Sequence, residues 1–211
     1  LELQRLDPAL RIVLLERGVL PLGASTRNAG FACLGSPTEL LDDLANSPAA
    51  EVWQLVEERW LGLQRLRQRV GDEHLSYREH GGYEIFRAEE ETTFETCVER
   101  LEDFNEQFQA ITGERAVHEI CDTAIPNMGF HNVKHLIRNR LEGQLHPGKM
   151  VARLQRLARE AGVQLFTGVT VEELQEEEQG VLVRISAADW TFKARRVLVA
   201  TNGFAQRLLP E

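Results

Sequence analysis

The chain has 211 residues, of which 43% are apolar and 27% charged, and its formal net charge is −9. This composition is typical of a globular protein with one large domain or two smaller ones. The acidic balance argues against a nucleic-acid partner, because phosphate binding needs clustered Lys and Arg. No apolar run approaches the ~18 residues of a membrane span. Cys33, Cys97 and Cys121 are too widely spaced for a disulfide framework, so we expect a reducing cytoplasm.

The first predicted elements are a helix over residues 1–6, closed by Asp7-Pro8, and a strand over Ile12–Leu15. The continuous apolar run in this strand indicates burial on both faces of a parallel sheet. The strand stops at Glu16. In dinucleotide-binding βαβ units an acidic residue at this point accepts hydrogen bonds from the ribose hydroxyls, and a carboxylate suits the task because it only accepts.

The next segment, Gly23 to Gly30, reads G-A-S-T-R-N-A-G. Its small residues, two hydroxyls and run of backbone N–H groups could approach a pyrophosphate or lie against a flat ring. The plain alternative is a surface loop bounded by glycines. A G-x-G-x-x-G fingerprint should precede Glu16 by roughly 20 residues, but the sequence contains none. We therefore expect the chain to begin inside the first βαβ unit and to be a fragment.

The middle of the chain is predicted to contain helices and short strands. Ser36-Pro37-Thr38-Glu39 is a capping box that begins a helix to about Asn46, and Ser47-Pro48 begins a second helix to Val70. The remaining predictions are a hairpin over 77–86 with a Gly81-Gly82 turn, a helix over 89–111, and short strands at 117–120 and 129–132.

The last third of the chain alternates between helix and strand signals. Pro147 opens a helix that ends at the glycine Gly162. Five strands follow: a parallel strand over 163–166, two antiparallel strands over 169–174 and 181–185, a strand over 190–193, and a buried strand over 197–200 before Thr201-Asn202-Gly203. The acidic turn 175–180 is predicted to be a solvated hairpin tip rather than a metal site.

Four motifs together resemble one family. They are E-R at 16–17, S-T-R-N-A-G at 25–30, T-V-E-E-L at 170–174 and V-L-V-A-T-N-G at 197–203. In this order they resemble the FAD-dependent D-amino-acid oxidase-like superfamily, which includes glycine and sarcosine oxidases, and within it the γ-glutamylputrescine oxidase-type amine oxidases. The resemblance implies an α/β fold with an α+β insert. A truncated Rossmann-like FAD-binding domain would comprise residues 1–46 and 147–211, and an antiparallel-sheet and helix substrate domain residues 47–146.

The resemblance also implies cofactor-binding roles. The ribose and adenine-edge positions match Glu16 and Arg17, and the adenine main-chain contact matches Val171. The pyrophosphate-facing turn matches Ala24, Ser25 and Thr26. The stretch beneath the isoalloxazine matches Arg27, Asn28, Ala29, Gly30 and Phe31, and the closing turn matches Ala200, Thr201 and Gly203. Asn28 falls near the position where some relatives carry a histidine bonded to the flavin. Asn cannot form that bond, so the FAD is expected to be non-covalent.

The implied reaction is oxidation of an amine or amino-acid C–N bond by hydride transfer to flavin, with a small-molecule substrate. The substrate-orienting groups of the family lie beyond the closing turn, so we expect this fragment to be inactive alone and assign no catalytic residue. The histidines at 80, 131, 135 and 146 are expected at the surface or at helix ends. Self-association through the incomplete sheet is a further expectation. Two alternatives stay open: a folded non-catalytic fragment or interaction domain, and an NAD-dependent dehydrogenase, since Glu16 would serve NAD equally well.

Overall fold

The computed structural model describes residues 1–186 and 190–209, and the chain divides into two compact units. The first unit comprises residues 1–27 and the described residues from 151 onwards, and the second comprises residues 28–150. The two predicted domains had a similar discontinuous arrangement, with borders at 46/47 and 146/147. Their assignment to FAD binding and substrate binding remains a prediction.

The helices and strands of the first unit come from both ends of the chain. They are α1 (Glu2–Leu6), β1 (Val13–Glu16), α7 (Pro147–Glu160, which begins in the second unit), β7 (Gln164–Thr167), β8 (Val171–Glu177), β9 (Gly180–Ile185), β10 (Thr191–Ala194) and a 3₁₀ helix (Asn202–Arg207). The second unit contains β2 (Phe31–Ala32), α2 (Pro37–Asn46), α3 (Ala49–Val70), α4 (Asp72–Leu75), β3 (Gly82–Arg87), α5 (Glu91–Thr112), β4 (His118–Ile120), α6 (Ile125–Met128), β5 (Val133–Asn139) and β6 (Gly143–Gln144).

The parallel sheet of the first unit consists of β1 and β7, paired from Val13↔Gln164 to Glu16↔Thr167. The predicted parallel strand after α7 is thereby confirmed. Burial of β1 on both faces was a wrong expectation for the described residues, because Val13 and Leu14 are 43% and 44% exposed. Within residues 1–186 and 190–209 β1 has no second strand partner, and the apolar run that predicted the strand is covered only in part.

The second sheet of the first unit is antiparallel in the order β10-β9-β8, as the alternating pattern predicted. The acidic turn is the tip between Glu177 and Gly180, which confirms a hairpin. The predicted buried strand at 197–200 is wrong. Val197 is 39% and Leu198 82% exposed, and the segment has no regular structure. Its apolar residues resemble a core strand, but no described strand pairs with it.

Helices α2, α3 and α5 build the core of the second unit. The capping prediction is confirmed, because the Ser36 Oγ accepts a hydrogen bond from the Glu39 backbone N–H at 3.4 Å, with Pro37 at the first helical position. The core residues are Leu34, Leu40, Val52, Val56, Phe104, Phe108, Val117 and Leu141. The prediction placed residues 28–46 in the first domain. They instead group with the second unit, because Leu40 of α2 belongs to this core.

The sheet of the second unit has the order β3-β5-β4, which corrects two predictions. The hairpin over 77–86 does not form, because β3 pairs with β5 and Arg78 instead bridges Gln144. A strand over 129–132 does not form either. Gly129 ends α6 with a φ of 69°, and the strand begins only at Val133. Among the described residues, no helix combines the length and the apolarity that a membrane crossing requires.

Candidate functional site

The carboxyl end of β1 carries Glu16, the predicted ribose-binding residue. One Glu16 oxygen, Oε1, accepts the Gly18 backbone N–H at 2.7 Å, and the side chain is partly exposed. The other oxygen, Oε2, makes no hydrogen bond within residues 1–186 and 190–209. A carboxylate with one oxygen engaged and one open to a donor suits the role of accepting ribose hydroxyl protons. The role of Glu16 in binding a ribose remains a prediction.

The loop that leads into β8 lies beside Glu16. The backbone N–H of Val169 donates to the Glu16 carbonyl at 3.0 Å, and the N–H of Gly168 donates to the Gly18 carbonyl at 3.0 Å. Two residues further on, the half-buried Val171 begins β8. The predicted ribose and adenine positions therefore lie close together, although 155 positions separate Glu16 from Val171 in the sequence. They meet at the carboxyl ends of parallel strands, where α/β sheets bind ligands.

The closing turn approaches the same place through one contact. The Arg17 guanidinium carbon lies 5.7 Å from the centre of the Phe204 ring, which belongs to the 3₁₀ helix after Thr201. Asn202 has a φ of 48°, and Ala200, Thr201 and Gly203 are exposed. Thus Arg17 and the closing turn are neighbours in the first unit, although the strand expected before that turn does not form.

The small-residue loop is held mainly by its own backbone. The N–H groups of Thr26 and Arg27 both donate to the Gly23 carbonyl at 3.1 Å, so these two donors are used inside the turn. Ala24 and Ser25 are exposed, and the Thr26 hydroxyl donates to the Pro21 carbonyl. The turn leaves Ser25 accessible to a ligand, while Thr26 has an internal partner.

The second half of the loop, Asn28 to Gly30, belongs to the second unit. The Asn28 Oδ1 accepts the Gly30 N–H at 3.0 Å, and the Gly30 carbonyl accepts the Leu145 N–H at 2.8 Å. Gly30 has a φ of 78°, and a Cβ there would lie 2.1 Å from the Leu145 carbonyl oxygen. Close backbone packing therefore explains this glycine, whereas Asn28 and Ala29 remain exposed.

A buried polar cluster in the second unit was not predicted from the sequence. His118, Asn139 and Glu142 are 2%, 4% and 7% exposed. Burial lowers the pKa of His118 to about 4. Burial raises the pKa of the Glu142 carboxyl above its usual value, although the N–H groups of Leu34 and Gly35 act in the opposite direction. The only sequence signal was a glutamate between Leu141 and Gly143.

The four histidines considered earlier have no catalytic arrangement. His80, His131 and His146 are exposed, and the His146 Nδ1 accepts the Lys149 N–H at the start of α7. The His135 Nδ1 lies 2.6 Å from the Asp122 carboxylate, and its ring stacks on Phe94 at 3.8 Å. No group of three or more potential metal ligands occurs in the described part of the chain.

The described residues form an α/β protein in which Glu16 lies at the carboxyl end of a parallel strand. The sequence matches the family of FAD dependent oxidoreductases known as DAO over residues 1–211. The chain belongs to this family, and FAD is the cofactor that the family implies.

Individual relatives agree with the family assignment. The chain is 30% identical over 112 residues to a probable oxidoreductase, OrdL, of Rhizobium meliloti, a match that covers 51% of this chain and 26% of the relative. Glycine oxidase from Geobacillus kaustophilus has a similar fold, with a TM-score of 0.67, 21% identity, and coverage of 94% of this chain and 50% of that one. L-amino acid deaminase from Proteus vulgaris gives a TM-score of 0.63, 18% identity, and 97% and 44% coverage. The chain thus spans about a quarter of the curated relative and about half of these structures.

Proposed function

We propose that this chain forms part of an enzyme that oxidises the C–N bond of an amine or amino acid by hydride transfer to FAD. Membership in an FAD dependent oxidoreductase family favours FAD over NAD as the cofactor. The observation that carries the proposal is the position of Glu16 at the carboxyl end of β1, hydrogen-bonded beside the loop to β8. The substrate class is supported by the relatives with similar folds, which are named as a glycine oxidase and an L-amino acid deaminase.

The residues of the first unit would hold the adenosine part of FAD. Glu16 would accept the ribose hydroxyl protons, Arg17 would lie at the adenine edge, and the main chain of Val171 would contact adenine. Ala24, Ser25 and Thr26 would face the pyrophosphate, and Ala200, Thr201 and Gly203 would form the closing turn. A carboxylate that receives hydroxyl donors forms charge-assisted hydrogen bonds, which are stronger than neutral ones.

Arg27, Asn28, Ala29 and Gly30 would lie against the flavin ring. Bound FAD supplies the hydride acceptor, and the protein orients it. Asn28 and Ala29 are exposed and Gly30 is fixed by its contact with Leu145, so the loop presents small or neutral side chains. The Asn28 amide cannot form a covalent bond to flavin, so the FAD would be released on unfolding.

The test uses the natural protein isolated from cells, that is, the enzyme of which this chain is proposed to form part. We expect a yellow preparation whose flavin enters the supernatant when the protein is precipitated with acid. Under anaerobic conditions, amines or amino acids should bleach the visible flavin band. Flavin retained in the precipitate would contradict non-covalent binding. Bleaching by hydroxy acids alone, or a colourless protein, would contradict the proposed reaction.

Residues 1–211 alone are proposed to bind no FAD and to have no oxidase activity, because they contain no G-x-G-x-x-G segment for the pyrophosphate. Self-association is proposed through the edge of β1, which pairs with β7 alone among the described strands. Flavin fluorescence titration and sedimentation of this 211-residue chain test both points. Saturable quenching of flavin fluorescence would refute the statement that residues 1–211 bind no FAD. A monomer at every concentration would refute the proposed self-association. A reducing cytoplasm remains the proposed location, since Cys33, Cys97 and Cys121 are all free.

A further inference from the structure

The backbone of Leu34 and Gly35 is held by side chains from elsewhere in the second unit. Strand β2 pairs with β6 only at Phe31 and Ala32, so the ladder ends before Leu34. Both residues are buried, and buried backbone groups need hydrogen-bond partners. The Glu142 Oε1 accepts the N–H of Leu34 at 2.7 Å and that of Gly35 at 3.2 Å. A single carboxylate oxygen thereby takes the place of the missing strand partner.

The two carbonyls of the same dipeptide are also bound by side chains. The Arg59 Nη1 donates to the Leu34 carbonyl at 3.2 Å, and the His118 Nε2 lies 3.3 Å from the Gly35 carbonyl. The same nitrogen lies 3.3 Å from the Asn139 Nδ2, and its contact with the carbonyl, which can only accept, is a hydrogen bond in the tautomer that has the proton on Nε2. Each of the four backbone polar groups of Leu34 and Gly35 therefore has a side-chain polar atom within hydrogen-bond distance. Glu142, Arg59 and His118 are called the Leu34–Gly35 brace below.

The Glu142 side chain has little freedom to move. Its Oε1 also lies 3.4 Å from the Asn139 Nδ2, a donor. A Cβ on Gly82 would lie 1.9 Å from the other oxygen, Oε2, so the start of β3 packs directly on the carboxylate. Burying an acid is unfavourable unless its oxygens are satisfied, and here three N–H groups converge on one oxygen. A buried carboxylate so enclosed fixes the orientation of two successive peptide units.

The brace continues directly into the loop that the proposed function assigns to the flavin ring. Leu145 binds the Gly30 carbonyl, and β6 pairs with β2 through Gln144 and Gly143. Residues 142–145 therefore bind the segment 30–35 along the length of that segment. Backbone hydrogen bonds hold residues 30–32, and the Glu142 side chain holds Leu34 and Gly35. We expect a shift of Leu34 and Gly35 to reach Asn28–Gly30 through β2, because only residues 31–33 separate the two segments.

We propose that Glu142 is a positioning residue for the flavin-facing loop, acting through the Leu34–Gly35 brace to fix Asn28–Gly30. This inference rests on the proposed function, which places that loop against the isoalloxazine. It assigns a role to a residue that does not itself touch the cofactor. The competing explanation is that Glu142 serves only the stability of the second unit, and the test is designed to separate the two.

The test compares three variants of the natural protein with its bound FAD. Glu142→Ala removes the acceptor, and Glu142→Gln keeps an oxygen that can accept both N–H groups. The stability control is Ile137→Ala, because Ile137 lies in the separate cluster with Phe86, Phe94 and Cys97. The readouts are the FAD dissociation constant, the visible circular dichroism of the flavin, and the amide hydrogen exchange of Leu34 and Gly35. If Glu142→Ala does not fold, Glu142→Asp replaces it, because it withdraws the carboxylate by one methylene.

We expect Glu142→Ala to weaken FAD binding about tenfold or more and to change the visible circular dichroism, since small displacements of positioning groups have large effects. Exchange of the two amides should rise about tenfold or more. In Glu142→Gln, the FAD dissociation constant and the exchange rates of the two amides should remain within about threefold of those of the natural protein. Ile137→Ala should lower the melting temperature but leave the flavin signals unchanged.

Two results would overturn the inference while leaving the proposed function intact. One is FAD binding and circular dichroism that are unchanged in Glu142→Ala, and the other is equal damage in Glu142→Ala and Ile137→Ala at equal loss of stability. A natural protein without flavin would instead refute the proposed function, and with it the flavin role of Glu142. The hydrogen exchange would still show whether Glu142 holds Leu34 and Gly35.

Discussion

The two units of the chain contain the same kinds of elements but differ in how completely these are covered. In the second unit Leu34, Phe104 and Phe108 are fully enclosed by helices α2, α3 and α5. In the first unit Phe166 is 50% and Leu198 82% exposed, and the described buried apolar residues are Ala158, Val163 and Val183. Parallel strands normally have both faces covered. In the first unit the strands form although their apolar side chains remain partly exposed. The second unit buries a core of its own residues, although Ile85 of β3 and Ile120 of β4 are 45% and 46% exposed.

The sharpest test of this difference compares one phenylalanine from each unit in the natural protein. Phe104→Ala removes a ring with no exposed area that packs on Trp53 at 6.1 Å, and should cost about 3–5 kcal/mol. Phe166→Ala removes a half-exposed ring and should cost only about 1 kcal/mol. Native-state hydrogen exchange of the α5 and β7 amides measures the loss of stability that each substitution causes locally. Equal losses at the two sites would contradict the distinction.

The second prediction concerns the pH dependence of stability. His118 should make the second unit less stable as the pH falls. Its folded pKa of about 4 lies below the ordinary value of 6.5, so the unfolded state binds more protons between these values. Stability is therefore present above pH 6.5 and is lost as the pH falls towards 4, by about 3 kcal/mol in total. The raised pKa of Glu142 acts with the opposite sign, because its protonated folded form gains stability as the pH falls.

Urea unfolding followed by Trp53 and Trp60 fluorescence measures this effect, since both residues lie in α3. The contribution of His118 is the difference between the natural protein and His118→Gln, which should lose less stability between pH 7 and pH 4. His80→Gln, at an exposed position, serves as the control. Identical pH dependence in all three proteins would show that His118 is not held neutral by burial.

Much of the fold could be predicted because its signals are local. The Ser36 cap, the helical spacing over 49–70 and the alternation in β8 and β9 all act over a few residues, and each element formed. The pairing of β3 with β5 was missed because it joins residues about 50 positions apart, and the adjacent Gly81-Gly82 favoured a local hairpin. The apolar run at 197–200 predicted a strand that needs a non-local partner.

The candidate site shows the same division. Glu16 could be predicted as a ribose-binding residue because an acidic residue at a strand end is a local pattern, and that role stays a prediction. Its proximity to Val171 was expected from the family resemblance. Glu142 was missed because a buried carboxylate is explained only by its distant partners, Leu34 and Gly35. Sequence patterns can predict residues whose role depends on their neighbours in the chain. Residues that position distant segments are found only from the three-dimensional structure.

The central claim is that Glu16 binds the ribose of FAD, and the most direct test is the FAD dissociation constant of Glu16→Gln in the natural protein. The change keeps the shape but removes the charge, and hydrogen bonds to charged groups contribute about 1.5–3 kcal/mol. We predict that FAD binds about tenfold or more weakly, while Glu178→Gln, at the exposed tip between β8 and β9, binds FAD normally. An unchanged dissociation constant in Glu16→Gln would contradict the claim.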